Sequence, residues 1–270
     1  MSTRSVEPAR PSLAARSLGA AVLRPGGLWS RLDVVPETGS TNADLVAGGG
    51  PDGAVLVAEA QLAGRGRLDR GWVSPPRAGL TFSVLLRPGA GVPVARWGWL
   101  PLLAGVALHA AVRDTSQVEA ALKWPNDLLL GPSRRKGAGI LAQVTGDAVV
   151  VGVGLNVSTR RSELPGPGAT SLVLEGAADA DRDALLRAVL HRLEAEYVRW
   201  RAAGGDPAAS GLHAAYGAVC HTVGRQVRVL LPHGDQLVGT ATAVDLDGRL
   251  VVRTSDGVYP VAAGDVVHLR

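Results

Sequence analysis

The 270-residue sequence predicts an α+β fold, in which a central mixed sheet flanked by helices is followed by a small β-barrel. Short apolar runs, each bounded by Gly, Pro or Asp, alternate with helical patterns as far as about residue 220. Beyond that point, turn signals separate strands of only four to nine residues, as in a small closed or nearly closed barrel. We therefore expect a flexible segment at 1–28, a large domain at 29–219 and a barrel at 220–270.

Five apolar runs predict the strands of the large domain, and their continuous apolar character is typical of a largely buried sheet. They are LDVV at 32–35, AVLVAEA at 54–60, LTFSVLL at 80–86, GILAQV at 139–144 and VVVGVGLNV at 149–157.

Helices are expected between and after these strands. A short helix follows Ser40, a long one spans about 94–113, and an amphipathic one spans about 181–203. A further helix is predicted with Asp206 as N-cap and Pro207 at its first position. Near the N-terminus, the absence of a sustained period leaves two possibilities, disorder or a short capping helix.

Composition and charge limit the classes of function. Hydrophobic residues make up 46% of the chain and the formal net charge is only +4, which is typical of a globular protein without a nucleic-acid-binding stripe. The single cysteine, Cys220, fits a reducing compartment. Neither a signal-peptide pattern nor a run of about 20 apolar residues is present. We expect a cytoplasmic protein that binds neither nucleic acid nor membrane.

Two residue types are so rare that their positions are informative. The chain holds 28 basic residues, of which only Lys123 and Lys136 are lysines, and its only asparagines are Asn42, Asn126 and Asn156. A surface ion pair in such a chain would normally use arginine. A compact ammonium is needed where a guanidinium is too large beside a reacting group, and an amide is needed where one side chain must donate and accept. The rare residues therefore indicate one site.

Basic clusters indicate where an anion binds. The stretch AGRGRLDRGW at 63–72 combines glycines that free the backbone with arginines that suit phosphate or carboxylate oxygens. It is typical of a loop that orders on a ligand, although an ordinary exposed basic turn has the same composition. It does not match the P-loop pattern. A second cluster follows at 134–136. A small anionic ligand is expected.

Three polar side chains, Ser40, Thr41 and Asn42, stand together at a predicted helix start. One of them is expected there as N-cap whatever the function. The other two exceed what a cap needs, and the surplus could read a urea- or amide-like group. Further along, the KWPND stretch at 123–127 places polar side chains at a strand end that proline stiffens.

Five motifs, in this order and spacing, resemble the biotin protein ligase family: STN, Q-x-A-G-R-G-R-x-x-R-x-W, KWPND, K-x-A-G-I-L and G-x-G-x-N. The resemblance implies a catalytic domain with the class II synthetase and lipoate-ligase fold, followed by an SH3-like barrel. It implies that ATP and biotin are joined to biotinyl-5'-AMP with magnesium. Biotin is then transferred to a lysine of a biotin carboxyl carrier domain in acetyl-CoA carboxylase or another biotin-dependent carboxylase.

The resemblance also implies roles for individual residues. Biotin would be bound by Ser40, Thr41, Asn42, Gln61, Arg65, Gly66, Arg67 and Lys136. ATP and the adenylate would be bound by Arg65, Arg67, Arg70, Trp72, Lys123, Asn126 and Asn156. The catalytic residues would be Lys123, Lys136 and Asp127, of which Asp127 either acts on the acceptor lysine or only pairs with Lys123. No protein ligand for a metal is implied. Asp69 stands where the family often has glycine, which puts the closed geometry of the loop in question.

Three alternatives are weighed against this reading. A repressor is not expected, because a winged helix-turn-helix needs about sixty residues and only some thirty precede LDVV. A lipoate or octanoate ligase of the same fold would use another acid, but the polar STN and Gln61 set favours the ureido group of biotin. A non-catalytic biotin-binding protein would not need both lysines. A monomer or weak homodimer is expected.

Overall fold

The computed structural model describes residues 10–67, 70–231 and 234–269. Seven strands form the central sheet in the order β1-β2-β3-β7-β6-β5-β4. Strands β1 and β2 pair in parallel and all other neighbours are antiparallel, so the predicted mixed sheet is confirmed. The strands are β1 Arg31–Val35, β2 Ala54–Ala58, β3 Gly79–Leu86, β4 Ala120–Lys123, β5 Asp127–Leu130, β6 Arg135–Thr145 and β7 Ala148–Asn156.

Both faces of this sheet are covered, which explains why its strands are apolar at successive positions. Every residue of β2, β3 and β7 is buried. Along β7, Val149, Val151 and Val153 belong to the main core, whereas Val150 packs with Leu45 on the opposite face. Alternate residues of a strand point to opposite faces. One face of β7 therefore serves the core, and the other is available for a site.

The α-helices of the described ranges are α1 Ala15–Val22, α2 Thr41–Gly48, α3 Leu100–Ser116, α4 Arg182–Ala202 and α5 Leu212–Val219. The predicted helices α2 and α4 are present, and Asp181 caps α4 by accepting the N–H of Asp183. The long helix is divided, because a 3-10 helix at Val94–Trp99 precedes α3.

The helix predicted to start at Asp206 is wrong. Its carboxylate does accept the N–H groups of Ala208 and Ala209, as an N-cap would. The chain nevertheless continues as turns until Gly211, whose φ of +76° interrupts a helical path, and α5 begins only at Leu212. Asp206 therefore caps backbone N–H groups as expected, but these groups belong to a turn and not to a helix.

Of the two possibilities for the N-terminal segment, the structure has the short capping helix, α1, within residues 10–28. Helix α1 has Leu18 and Val22 buried at 1% exposure, and it packs against α4 and β1. A segment that buries such side chains is stabilised by tertiary packing. Residues 1–9 lie outside the described part of the chain.

The C-terminal part forms a five-stranded antiparallel sheet in the order β11-β10-β9-β8-β12. It contacts the large domain through the Trp124 and Trp99 indoles, which donate to the carbonyl oxygens of Gly248 and Leu246 at 2.9 and 2.8 Å. The predicted turn at 232–235 includes Pro232 and His233, which lie outside the described residues. The strands are β8 Gln226–Leu230, β9 Gln236–Val244, β10 Leu250–Arg253, β11 Val258–Val261 and β12 Asp265–His268.

Across the three described ranges, no helix is both long and apolar enough to cross a membrane.

Candidate active site

A cavity of about 450 Å³ opens on the face of the sheet opposite the main core. Of the fourteen residues predicted for the site, all except Lys123 line this cavity, although they come from widely separated parts of the sequence. The thirteen are Ser40, Thr41, Asn42, Gln61, Arg65, Gly66, Arg67, Arg70, Trp72, Asn126, Asp127, Lys136 and Asn156.

Strand β7 forms the floor of the cavity, and its glycines explain the G-x-G-x-N motif. A Cβ on Gly152 would collide with Oδ1 of Asn42, and a Cβ on Gly154 would collide with the Trp72 indole. The two glycines and Asn156 share one face because their spacing is two residues. Four residues of extended strand span about 13 Å. The cavity therefore has an axis from Asn42, past Trp72, to Asn156.

The Trp72 indole is seated directly on this floor. Its Nε1 is buried and has no hydrogen-bond partner among the described residues. Buried donors are almost always satisfied, so an unpaired one at a cavity wall indicates a donor available to a ligand.

At one end of the axis, the start of α2 carries the STN motif. Ser40 is the N-cap, with its Oγ accepting the N–H of Ala43 at 3.4 Å. The N–H of Thr41 donates to Oε1 of Gln61 at 2.8 Å, and its hydroxyl lies 2.7 Å from Oγ of Ser83. The capping interpretation is therefore correct for Ser40, while Thr41 is held by a neighbouring strand.

Asn42 is fixed from two sides. Its Nδ2 donates to Oε1 of Gln143 at 2.9 Å, and its Oδ1 accepts from Oγ of Ser83 at 2.6 Å. Only 5% of Asn42 is exposed. Ser83 was not predicted, although a hydroxyl inside the apolar run LTFSVLL was a visible signal, because a buried hydroxyl needs a partner.

The KWPND stretch is a hairpin, in which β4 ends at Lys123 and β5 begins at Asp127. The turn between them contains a cis peptide bond at Trp124-Pro125. Proline follows the end of a strand, β4, as predicted, but the second strand of the hairpin, β5, was not predicted. Asn126 donates to the carbonyl oxygen of Ile140 at 3.1 Å, which directs the hairpin end toward the cavity.

Asp127 pairs with Lys136, not with Lys123. Its Oδ1 lies 2.6 Å from Nζ of Lys136. Lys123 stands opposite Asp127 in the hairpin register, yet it does not line the cavity. The expected partnership is therefore corrected: β6 brings Lys136 across the hairpin to the carboxylate.

Lys123 lies half-buried beneath the C-terminal sheet. Burial lowers the pKa of its ammonium, and this is opposed by the charges of Asp127 and Asp265. Burial and the charge of Lys123 also lower the pKa of His268 to about 4. The Nε2 of His268 lies 3.1 Å from the hydroxyl of Thr222. The C-terminal sheet thus contributes directly to the surroundings of Lys123.

The glycine-rich loop folds back on itself as a short hairpin. The N–H of Trp72 donates to the carbonyl oxygen of Gly64 at 2.8 Å, and that of Gly66 donates to Arg70 at 2.6 Å. Leu68 and Asp69, the position where the family often has glycine, lie outside the described residues.

Ionic contacts join this loop to the C-terminal sheet. Arg70 pairs with Asp265 at 2.5 Å, and Arg67 donates to the carbonyl oxygen of Gly264 at 3.3 Å. Burial lowers the pKa of Arg67. Gly264 and Asp265 also line the cavity. They were not predicted, because no local pattern points to a residue 195 positions away from its partner.

The second basic cluster does not form an anion site as a unit. Arg134 pairs with Glu119 at 3.3 Å and Arg135 pairs with Glu175 at 2.6 Å, and neither lines the cavity. These two are ordinary structural ion pairs, so the prediction is wrong for them. Only Lys136 points its charge at the site.

Comparison with known proteins agrees with these motifs. Residues 34–158 match the Biotin/lipoate A/B protein ligase family, and residues 222–269 match the Biotin protein ligase C terminal domain. The chain is 46% identical over 268 residues to a biotin--[acetyl-CoA-carboxylase] ligase of Mycobacterium tuberculosis, covering 97% of both chains. It is 32% identical to the bifunctional ligase/repressor BirA of Escherichia coli, covering 88% of this chain and 73% of that protein.

A solved structure gives the same result. The chain resembles the biotin protein ligase of Aquifex aeolicus in complex with biotin and ATP, with a TM-score of 0.75 and 28% identity. The match covers 90% of this chain and 100% of that one. With family matches in both parts of the chain and a relative aligned over nearly its whole length, this chain belongs to the biotin protein ligase family.

Proposed function

We propose that the protein joins biotin to ATP, releases pyrophosphate, and transfers biotin from biotinyl-5'-AMP to a lysine of a biotin carboxyl carrier domain. The observation that carries the proposal is the cavity axis along β7. It has buried amide and hydroxyl groups at the Asn42 end, cations beside its middle, and Asn156 at the other end. An acyl adenylate has the same order of groups.

The ureido ring of biotin binds at the Asn42 end in this proposal. The ring presents one carbonyl oxygen and two N–H groups, and Ser40, Thr41, Asn42 and Gln61 supply donors and acceptors. Gly152 lets the Asn42 side chain lie directly against the strand, because a Cβ at position 152 would collide with Oδ1 of Asn42. Recognition by fixed polar groups discriminates strongly against an acid that lacks a ureido group.

Adenylation requires two anions to meet. A carboxylate oxygen of biotin attacks the α-phosphorus of ATP, a P–O bond forms, and pyrophosphate leaves with the electrons of the bond that breaks. Fixed cations offset the repulsion and the charge that develops in the transition state. Lys136 would contact the carboxylate and the phosphoryl oxygen, while Arg65, Arg67 and Arg70 would contact the phosphates. Lys123, which lies in the hairpin outside the cavity lining, would add positive charge at longer range.

Magnesium fits this arrangement as an ion that arrives with the nucleotide. No group of three or more His, Cys, Asp or Glu side chains able to hold a metal occurs in the described ranges. Asp127 and Asp265 line the cavity, and one or two carboxylates with substrate phosphates are the usual Mg²⁺ ligands. When bound, the ion would supply charge neutralisation on the phosphates.

The transfer step depends on Asp127. The acceptor lysine has a pKa near ~10.4 in water and must lose a proton before it attacks the acyl carbon. Asp127 is held by Lys136 at 2.6 Å, so we propose that it first orients Lys136. It becomes a proton acceptor once Lys136 binds the acyl phosphate.

The C-terminal sheet, which we divide from the catalytic domain near residue 220, forms part of the site in this proposal through Gly264 and Asp265. The acceptor is a carboxyl carrier domain, as the name of the Mycobacterium tuberculosis relative implies for acetyl-CoA carboxylase. Adenine would stack near Trp72 and hydrogen-bond to Asn156.

Pyrophosphate release tests the proposal. Purified protein with ATP and biotin should release pyrophosphate, and ATP with lipoate or octanoate should release little. Addition of a carrier domain should then give a product heavier by one biotinyl group, and a carrier with its acceptor lysine changed to arginine should not. Release with lipoate but not with biotin would overturn the assignment in favour of a lipoate ligase.

A further inference from the structure

Residues 10–13, which we call the N-terminal strap, cross the molecule beside the cavity. A buried ion pair between Arg182 and Glu59 anchors the strap, with N···O at 2.6 Å and side chains only 7% and 9% exposed. The N–H of Leu13 donates to Glu59 at 2.6 Å, and the carbonyl oxygen of Pro11 accepts from Arg182. Because a buried ion pair needs further hydrogen bonds, the strap completes this one.

Arg10 extends from the anchored strap to the segment after β7. Its guanidinium donates to Oε2 of Glu163 at 2.6 Å and to the carbonyl oxygen of Ser158 at 3.1 Å. The same Oε2 of Glu163 accepts the N–H of Arg160 at 2.8 Å. One side chain therefore ties together both ends of the turn at 158–163. Such charge-assisted bonds have about twice the strength of neutral ones.

This turn belongs to one end of the cavity. It follows Asn156 directly, and Glu163 and Pro165 line the cavity wall. The rest of the segment returns to the site: Asn156 donates to the carbonyl oxygen of Thr170 at 2.9 Å, and the N–H of Thr170 donates to Lys136 at 2.8 Å. The segment thus connects Asn156 with Lys136.

Arg10 itself has no hydrogen bond to Asn42 at the opposite end of the cavity within the part of the chain that the structure describes. Among the described residues, Asn42 is hydrogen-bonded to Ser83, Leu141 and Gln143, which lie on β3 and β6. An effect transmitted through Arg10 should therefore reach the two ends unequally.

We propose that Arg10 is a positioning residue for the nucleotide: through Glu163 and Ser158 it holds the 158–170 segment so that Asn156 and Lys136 are set for ATP. This rests on the proposed function, because it takes the Asn156 end of the cavity as the nucleotide end. Arg10 touches no substrate. Its loss should weaken ATP binding and leave biotin binding nearly unchanged.

The matched control is Arg24. It lies in the same N-terminal segment and pairs with Glu194 of α4 at 2.8 Å, away from the cavity. Arg10→Ala and Arg24→Ala each remove one partly exposed ion pair, so they should change stability to a similar, small extent. Both Arg10 bonds come from one nitrogen, Nη2, so Arg10→Lys keeps a cation with several donors on a side chain that is one bond shorter.

The experiment compares wild type, Arg10→Ala, Arg10→Lys and Arg24→Ala by pyrophosphate release and by hydrogen exchange of the backbone. Arg10→Ala should raise the KM for ATP by about 3- to 10-fold, the usual range for coupling through neighbours, with the KM for biotin within twofold. Exchange within 158–170 should increase in that variant alone. Arg10→Lys should recover part of the loss.

The proposal is overturned if Arg10→Ala leaves the KM for ATP and the exchange of 158–170 at wild-type values. It is also overturned if biotin and ATP are affected equally, or if Arg24→Ala has the same effect. A wild-type protein that is inactive with biotin and ATP would instead contradict the proposed function. The exchange comparison would still decide whether Arg10 orders the segment.

Discussion

The floor and the roof of the cavity are built in different ways. The floor is formed by β3, β6, β7 and the start of α2, where Thr41 and Asn42 are 2% and 5% exposed and hydrogen-bonded to neighbouring strands. The roof is formed by residues 64–67, 70–72 and 264–265, joined by the Arg70–Asp265 pair, in which the arginine side chain is 58% exposed. Exposed pairs contribute about 1 kcal/mol or less. The floor is therefore preorganised, whereas separating the two parts of the roof costs little free energy.

This difference suits a two-step acyl transfer. Fixed hydrogen-bond donors on the floor favour recognition of a neutral ring, because donors that had to reorganise on binding would discriminate less well between ligands. A roof over a mixed anhydride must exclude water and later admit an acceptor lysine. The hydrogen-bonded floor and the more weakly held roof thus lie on opposite sides of one ligand.

The largest expected effect comes from replacing the lysine that lines the cavity by arginine. Lys136→Arg keeps the charge but places a larger planar group against Asp127 and Gly139, so adenylation should fall by about 1000-fold, the upper range for loss of one stabilising group. The rate of pyrophosphate release measures it. Arg135→Lys, which alters a neighbouring ion pair outside the cavity, is the control and should stay within a few-fold of wild type. Near-normal activity of Lys136→Arg would remove the steric reason for lysine.

A methyl group on the floor should act almost as strongly. Gly154→Ala directs a Cβ into the Trp72 indole, and a displacement of about 1 Å at a reacting centre can lower the rate about 100-fold. Gly217→Ala, in α5 with nothing within 4 Å of an added Cβ, is the matched control. The value of kcat/KM for biotin, measured for both variants, tests this prediction. If the two variants were equally active, the floor would tolerate the added methyl group and the prediction would be contradicted.

A smaller change is expected when the roof is loosened. Asp265→Asn removes one charge of the Arg70 pair, and a loss of up to ~1 kcal/mol corresponds to about a fivefold change. Biotinyl-5'-AMP should then dissociate or hydrolyse up to fivefold faster, as measured by chasing preformed adenylate. Asp256→Asn, in an exposed turn of the same sheet, should change nothing. A loss as large as that of Gly154→Ala would contradict the contrast between roof and floor.

The smallest effect concerns the pH dependence of stability, through His268 of the C-terminal sheet. The pKa of His268 is lowered from 6.5 to about 4, so the unfolded chain binds the proton more readily than the folded one. The stabilisation from neutral His268 is complete above pH 6.5 and is lost as the pH falls toward 4. Because the ring is partly solvent-screened, the loss should amount to about 1 kcal/mol.

Urea unfolding at pH 7.5 and pH 4.5 measures this contribution. His268→Gln should lose less stability than wild type on acidification, and His191→Gln, on the exposed side of α4, should behave as wild type does. An unchanged pH dependence in His268→Gln would exclude the histidine as its source.

Sequence alone located much of the site because the composition is so biased. Where arginine and alanine fill ordinary positions, the two lysines and three asparagines stand out, and all but Lys123 line the cavity. The strands of the central sheet were likewise visible as apolar runs. By contrast, the KWPND hairpin was missed because its strands are only four residues long, which is too short to show a period.

The unpredicted site residues share a physical reason. Glu163, Gly264 and Asp265 act through partners distant in sequence, and nothing local distinguishes an aspartate that pairs across domains from one that faces water. Arg134 and Arg135 show the opposite error, since a basic cluster was taken as an anion site although carboxylates elsewhere in the chain neutralise it. Side-chain pairing is a tertiary property.

A crystal structure of the protein with biotinyl-5'-AMP tests the central claim most directly. The orientation along β7 is the quantity to measure. The ureido group should lie within hydrogen-bond distance of Thr41 and Asn42, with the acyl phosphate at Lys136 and the adenine at Asn156. A ligand bound in the reverse direction, or one whose adenine lies away from Asn156, would contradict the account.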